Sequence, residues 1–246
     1  MKYAFTLLAL TAVHTVSAQK AQCQNIGDIK PVEDPLKLFA PGKATFPCNM
    51  GAPVPLGKVP TGCAKFEIIV ARGTTEPGDL GMIVGDPLVA RVKRDMPGVA
   101  VRGYPVQYPA GTSGSATGVS DIQKRLEQQS KECPDEKFAL AGYSQGGMVV
   151  TSATKKLSPA LQAKVLAVVL YGAGEGKNVA EPLLKKTLAN CAPGDFACPN
   201  SGSGPGHVSY NNEGTKWHDR SSEYVVAAFT DKPVGQKLAR NPTASL

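Results

Sequence analysis

The organisation of the chain is set by one segment, which reads Lys137-Phe-Ala-Leu-Ala-Gly-Tyr-Ser-Gln-Gly-Gly-Met-Val-Val-Thr-Ser-Ala153. Its first five residues predict a buried strand and its last seven predict a helix. Between them lies Gly-x-Ser-x-Gly, which in a strand–turn–helix context indicates a nucleophile elbow. Such a turn projects the Ser144 hydroxyl from the carboxyl end of a sheet. It also places the Gln145 amide at a helix N-terminus, where developing negative charge is stabilised.

Strands and helices alternate around this segment. Three more apolar runs predict strands, and three periodic runs, the first with Asp86 as N-cap and Pro87 at its first position, predict helices. The strands are Phe66–Ala71, Val99–Tyr104 and Val165–Tyr171, and the helices are Asp86–Met96, Val119–Lys131 and Ser222–Phe229. Val165–Tyr171 is the most apolar and is predicted to be central, whereas Gly111–Gly118 is predicted to be a loop. The alternation predicts an α/β fold with a mostly parallel central sheet covered on both faces.

The 246 residues suffice for one sizeable domain. Residues 1–18 predict a secretory signal peptide, because a charged start precedes a short apolar stretch and a small-residue cleavage site. Residues 19–62 are rich in Pro and Gly without a sustained period, so we expect an irregular arm. The domain is predicted at 63–232, followed by a tail at 233–246 that lacks a hydrophobic anchor signal. We therefore expect a secreted, extracellular protein without a membrane anchor.

Charge and cysteine usage restrict the classes of partner and cofactor. The formal net charge is +7, but the basic residues are spread along the chain, which argues against a nucleic-acid site. The six cysteines all follow the predicted signal peptide, and an even count in an exported chain predicts three disulfides, with about fifteen possible pairings. A zinc site is the weaker alternative, because there is no Cys-x2-Cys pair and the histidines lie apart from the cysteines.

A serine nucleophile needs a base to take its proton and a third group to orient the base. Since His14 lies in the predicted signal peptide, the base is His207 or His218. In the chain order Ser, acid, His, Asp195 within Cys191–Cys198 offers the acid, although a simple turn carboxylate is the plainer interpretation. We prefer His207, in a Gly/Ser/Pro stretch, as the base. His218 is interpreted as a surface histidine near the last helix and remains the alternative.

Four segments in chain order carry a family resemblance. They are Ala71-Arg-Gly-Thr-Thr-Glu-Pro-Gly78, Gly142-Tyr-Ser-Gln-Gly146, Cys191-x-x-Gly-Asp-x-x-Cys198 and His207-Val-Ser-Tyr210. They resemble the corresponding segments of the fungal cutinase family, which also includes acetylxylan esterases. The resemblance extends from about Cys63 to Phe229 and implies a three-layer α/β-hydrolase fold.

The resemblance also implies roles for individual residues. It makes Ser144 the nucleophile, Asp195 the acid and His207 the base, with an oxyanion hole formed by the Gln145 amide and by the backbone and hydroxyl of Thr74. It implies no metal and no organic cofactor. The disulfides that it implies are Cys63–Cys133 and Cys191–Cys198, which leaves Cys23–Cys48 within the arm.

The leading hypothesis is a secreted serine esterase that acts as a monomer on cutin-type polyester or on short- to medium-chain esters. Deacetylation of xylan is the first alternative, and a non-catalytic secreted binding protein on a hydrolase scaffold is the second. Where the family usually carries an aliphatic wall before its histidine, this chain has Pro199–Gly206, almost without apolar side chains. This departure disfavours a grip on long aliphatic chains.

Overall fold

A computed structural model describes residues 56–111, 114–202 and 204–232. The predicted signal peptide, most of the predicted arm with its Cys23–Cys48 pair, and the predicted tail lie outside these residues. Within them is a five-stranded sheet of order β2-β1-β3-β4-β5 in which every neighbouring pair is parallel. The strands are β1 Phe66–Ala71, β2 Val101–Pro105, β3 Lys137–Tyr143, β4 Val165–Tyr171 and β5 Thr187–Asn190. The predicted α/β class with a parallel central sheet is therefore confirmed.

Helices cover the sheet on both faces. They are α1 Gly85–Asp95, α2 Ser115–Glu132, α3 Gln145–Thr154, α4 Pro159–Lys164 and α5 Trp217–Phe229, with 3-10 turns at Leu183–Lys186 and Pro205–Val208. Helices α1 and α5 pack together on one face, and α2 and α3 pack together on the other. Successive strand residues point to opposite faces, so Ile68 joins the core under α1 and α5 while Ile69 joins the core under α2 and α3. This is a three-layer arrangement, and no described helix is long and apolar enough to cross a membrane.

The prediction that Val165–Tyr171, strand β4, is the central strand was wrong. Strand β4 is fully apolar but lies between β3 and β5, and the middle strand is β3, which leads into the elbow. Every strand with neighbours on both sides and helices on both faces is buried, so hydrophobicity cannot rank interior strands. The sequence also missed α4, whose six residues are too few to show a helical period, and β5, whose four residues are at the lower limit for a strand pattern.

Three helix starts were also wrong. Helix α1 begins at Gly85, because the Asp86 carboxylate accepts the N–H of Leu80 (3.3 Å) and closes the preceding turn instead of capping the helix. Helix α2 begins at Ser115, within the predicted loop, and a Cβ at Gly118 would lie 2.9 Å from Val149 of α3. The small residues that suggested a loop therefore permit close helix packing. Helix α5 begins at Trp217, five residues before the predicted start.

Buried charges tie the amino end of the sheet together. The fully buried Glu67 accepts hydrogen bonds from Arg102 (2.6 Å) and Arg125 (2.6 Å), and Arg102 also pairs with Glu136 (2.9 Å). Arg102 donates in addition to the carbonyl of Gly62 (2.6 Å), beside the Cys63–Cys133 disulfide. The network anchors the last residues of the predicted arm at the end of the sheet opposite to the elbow.

Candidate active site

Ser144 occupies a strained turn between β3 and α3. Its backbone has φ 52° and ψ −117°, a region that residues with a Cβ rarely adopt. A Cβ at Gly146 would lie 1.9 Å from the carbonyl oxygen of Ala71, so only glycine allows α3 to approach β1 this closely. The Ser144 N–H donates to the carbonyl of Tyr171 (2.9 Å), which attaches the turn to the end of β4. The elbow predicted from the sequence is therefore present in the structure.

Three side chains from distant parts of the chain converge at this turn. Nε2 of His207 lies 2.9 Å from Oγ of Ser144, and Nδ1 lies 2.7 Å from Oδ1 of Asp195. His207 belongs to the 3-10 turn Pro205–Val208, and Asp195 follows β5 in the loop closed by the Cys191–Cys198 disulfide. Asp195 and His207 are buried while Ser144 is partly exposed. The arrangement is a continuous path of hydrogen bonds from a surface hydroxyl to a buried carboxylate.

The Asp195 carboxylate has two further hydrogen-bond donors. Oδ1 also accepts the N–H of Ala197 (2.8 Å), and Oδ2 accepts the hydroxyl of Tyr210 (2.5 Å). Burial by itself raises the pKa of Asp195, but the hydrogen bonds from His207 and Tyr210 outweigh burial, so the pKa lies below its ordinary value. Asp195 is therefore held as an anion and in one orientation. The sequence reasoning included Tyr210 only as part of a motif and assigned it no role.

Tyr210 itself is fixed by its surroundings. Its oxygen accepts the N–H of Ala192 (3.2 Å), and its ring packs edge-on against Tyr143 and Tyr171. Tyr143 in turn donates its hydroxyl to the carbonyl of His207 (2.7 Å). These aromatic side chains hold Asp195 and His207 from beneath.

Two loops meet at Gln145, the residue that follows Ser144. Gln145 begins α3, so its N–H is one of the first-turn groups without an intrahelical acceptor. The Thr74 hydroxyl donates to Oε1 of Gln145 (3.2 Å), and Nε2 of Gln145 donates to the carbonyl of Gly111 (2.6 Å). The structure thus places Thr74 beside Gln145, at the carboxyl ends of β1 and β3.

A buried carboxylate holds the loop that carries Thr74. Oε2 of Glu76 accepts the N–H of Gly73 (2.6 Å), and Oε1 accepts the N–H groups of Ile83 (2.8 Å) and Val84 (3.3 Å) at the start of α1. Burial raises the pKa of Glu76 to about 7, although these backbone donors act in the opposite direction. Sequence reasoning missed Glu76, because a charged residue in a loop gives no signal that it is buried.

The interpretation of His218 as a surface residue was wrong. It is 2% exposed, lies within α5, and its Nδ1 faces the hydroxyl of Tyr171 (3.2 Å). Burial lowers the pKa of His218 to about 4, so this imidazole is neutral in the folded protein. It is His207, not His218, that the structure places in contact with Ser144 and Asp195.

The remaining predicted features fall partly within the described residues. The Cys63–Cys133 and Cys191–Cys198 disulfides are present, whereas Cys23 and Cys48 lie outside. In the described part of the chain, no group of three or more His, Cys, Asp or Glu side chains could hold a metal ion.

The sequence is similar to those of known cutinases. The cutinase family model matches residues 62–229. Cutinase 4 of Emericella nidulans is 34% identical over 174 residues, which cover 68% of this chain and 73% of that protein. Cutinase cut1 of Trichoderma harzianum is 37% identical over 143 residues, covering 55% of this chain and 57% of that protein.

Solved structures give the same result. A Trichoderma reesei cutinase in complex with a phosphonate inhibitor superposes with a TM-score of 0.59 and 32% identity, covering 68% of this chain and 77% of that one. An acetylxylan esterase structure shares the fold, with a TM-score of 0.58 at 19% identity over 68% of this chain and all of that one. With a family match over more than half of its length, the chain belongs to the cutinase family, whose members are carboxylic ester hydrolases.

Proposed function

We propose that this chain is an exported, monomeric serine esterase that cleaves carboxylic esters through an acyl-enzyme on Ser144. The observation that carries the proposal is the hydrogen-bonded path from Ser144 through His207 to Asp195, with its two distances of 2.9 Å and 2.7 Å. A serine on a strained elbow, a base within reach and a buried acid behind the base are the parts that acyl transfer requires.

The geometry supports the following cycle. Oγ of Ser144 attacks the ester carbonyl carbon while Nε2 of His207 takes its proton. The same proton then passes to the oxygen of the leaving alcohol, and the carbon–oxygen bond breaks. Water, deprotonated by Nε2, hydrolyses the acyl-enzyme and restores the serine. Asp195 stays ionised throughout and stabilises the imidazolium.

The negative oxygen of each tetrahedral intermediate would lie between Gln145 and Thr74. The Gln145 N–H points from a helix N-terminus, where the helix dipole favours negative charge. The N–H and hydroxyl of Thr74 would supply two further donors, with the hydroxyl turning away from Oε1 of Gln145 when substrate binds. Glu76 holds the loop of Thr74 in place, so little reorganisation is needed during the reaction.

We propose short- to medium-chain esters, including those of cutin-type polyesters, as substrates. Ser144 is partly exposed and Thr74 is exposed, so the site opens directly to the surface. The stretch before His207 offers almost no apolar side chains for a long acyl chain. The same openness suits an acetyl group on a polysaccharide, so xylan deacetylation is the second candidate. Comparing rates on a polyester film and on acetylated xylan separates the two, and activity on xylan alone would reject the first.

A fluorophosphonate probe tests the chemistry before any substrate is known. We expect stoichiometric labelling of the wild type and no labelling of Ser144→Ala. Ser152→Ala is the matched control, because Ser152 is exposed on the same helix, and it should label normally. Continued labelling of Ser144→Ala would exclude Ser144 as the nucleophile. A folded wild type that neither labels nor hydrolyses esters would indicate a binding protein instead.

A further inference from the structure

Phe196 places a large apolar side chain at the mouth of the site. Its side chain is 65% exposed although its neighbour Asp195 is fully buried. The Phe196 ring centroid lies 4.3 Å from that of the His207 imidazole, with an angle of 41° between the planes. One side of the ring therefore covers the base, while much of its surface faces solvent beside the reacting atoms.

The loop around Phe196 is held on all sides. The Cys191–Cys198 disulfide closes it, and the Cys198 N–H donates to the carbonyl of Asp195 (3.1 Å). The Ala197 N–H donates to the Asp195 carboxylate (2.8 Å), and the Ala197 carbonyl accepts the N–H of Gly174 (3.1 Å). The ring is thus presented by a rigid support, and a substrate that covers it gains apolar contact without ordering a flexible loop.

The chemistry of acylation decides which part of an ester reaches this ring. Nε2 of His207 must come within hydrogen-bond distance of the leaving oxygen in order to protonate it. The carbonyl carbon is bonded to Ser144 at that moment, and its oxygen points towards Gln145. The alcohol substituent is bonded to this leaving oxygen and therefore lies next to the imidazole of His207. Phe196 packs against the same imidazole. We propose that Phe196 binds the alcohol portion of the ester and makes this chain discriminate between esters by their leaving alcohol.

This inference rests on the proposed esterase function, and two series of soluble esters test it. In the first series the acyl group stays acetyl and the alcohol grows from methyl to butyl to benzyl. In the second the alcohol stays methyl and the acyl group grows from acetyl to hexanoyl. The variants are Phe196→Ala, Phe196→Leu and, as a control, Leu56→Ala. Leu56 is another exposed apolar residue, and its neighbour Gly57 packs against Pro105 of the edge strand β2, away from β4 and β5.

For Phe196→Ala we expect kcat/KM for benzyl acetate to fall about tenfold relative to methyl acetate, because the lost contact is worth about 1.4 kcal/mol. The ratios within the acyl series should stay within twofold of the wild type. Phe196→Leu should retain most of the preference for benzyl acetate, and Leu56→Ala should behave as the wild type. Hydrolysis of a preformed acetyl-enzyme involves no alcohol, so in Phe196→Ala its rate measures only what the ring does for His207. The ratio of benzyl acetate to methyl acetate must therefore fall by more than this rate does.

Two results would overturn the inference. One is an equal loss for methyl and benzyl acetate, which would mean that the ring only shields His207 from water. The other is a changed acyl preference with an unchanged alcohol preference, which would place the acyl chain on the ring. Failure of the esterase function itself looks different, because then the wild type hydrolyses neither series and Ser144 does not label.

Discussion

Replacing Tyr210 with phenylalanine removes one hydroxyl and tests how the Asp195 carboxylate is held. Asp195 accepts three hydrogen bonds, from His207, Ala197 and Tyr210, and a hydrogen bond to a charged group contributes about 1.5–3 kcal/mol. Two of the three hydrogen bonds remain in Tyr210→Phe. We therefore expect the activation free energy to rise by an amount near the lower end of that range. This corresponds to a loss of about tenfold in kcat. KM should not change, because the Tyr210 side chain is fully buried and does not reach substrate.

The matched control is Tyr171→Phe. Tyr171 is also fully buried, but its hydroxyl faces His218 rather than the triad. Both variants should lose about 1–2 kcal/mol of unfolding free energy in denaturant titrations, whereas only Tyr210→Phe should lose kcat. On acidification, the Tyr210 variant should begin to lose stability at a higher pH than the wild type does. The hydrogen bond that lowers the pKa of Asp195 is gone, so its carboxylate protonates earlier.

Two outcomes would refute this reasoning. If kcat is unchanged in Tyr210→Phe while stability falls, the hydroxyl contributes only to packing and not to the orientation of Asp195. If kcat falls equally in Tyr171→Phe, the loss reflects general loosening of the aromatic cluster. Steady-state kinetics on p-nitrophenyl acetate measure kcat and KM. The denaturant titrations must extend to about pH 2.5, below the ordinary aspartate pKa of about 3.9, because the pKa of Asp195 lies below its ordinary value.

Two further predictions concern stability. Glu67→Gln should lower the unfolding free energy by about 3–5 kcal/mol in denaturant titrations, because it leaves the buried Arg125 without its carboxylate; the exposed Glu223→Gln is the control, and equal effects would contradict the idea. In the folded protein His218 is neutral, because its pKa is lowered to about 4. As pH falls below about 6.5, the unfolded chain therefore binds a proton at this histidine that the folded chain does not bind. The wild type should therefore lose up to about 3 kcal/mol between pH 6.5 and 4 relative to His218→Gln. That comparison cancels Glu76, whose raised pKa acts in the opposite direction, and parallel pH curves would refute the assignment.

Much of the fold could be predicted because its signals are local. The bounds of β1 and β4 agree with the prediction at every residue, since a strand buried on both faces is mostly hydrophobic; Glu67 is the exception in β1. The elbow was also recognisable, because a turn this tight admits few residue types at its flanks. The predicted starts of α2 and α5 were wrong, because the small or polar residues there are helical only where another element packs against them.

Burial and side-chain contacts account for what the sequence missed. Glu76, Phe196 and Tyr210 all lie within motifs quoted from the sequence, but those motifs do not show that Glu76 is buried or which side chains Phe196 and Tyr210 contact. Charged, apolar and aromatic residues in loops are ordinary on a surface. Only the folded chain shows that Glu76 is buried beside backbone donors, that Phe196 is exposed over His207, and that Tyr210 donates to the Asp195 carboxylate.

By itself the sequence determined which residue types could react: a serine on an elbow, a histidine and an acid in the right chain order, and strands whose ends share one edge. Local spacing suffices for this, because a turn and a strand are properties of neighbouring residues. Tertiary structure decided which histidine meets Ser144 and which one is buried against Tyr171. Only packing brings together residues 63 positions apart, as the contact between Ser144 and His207 requires.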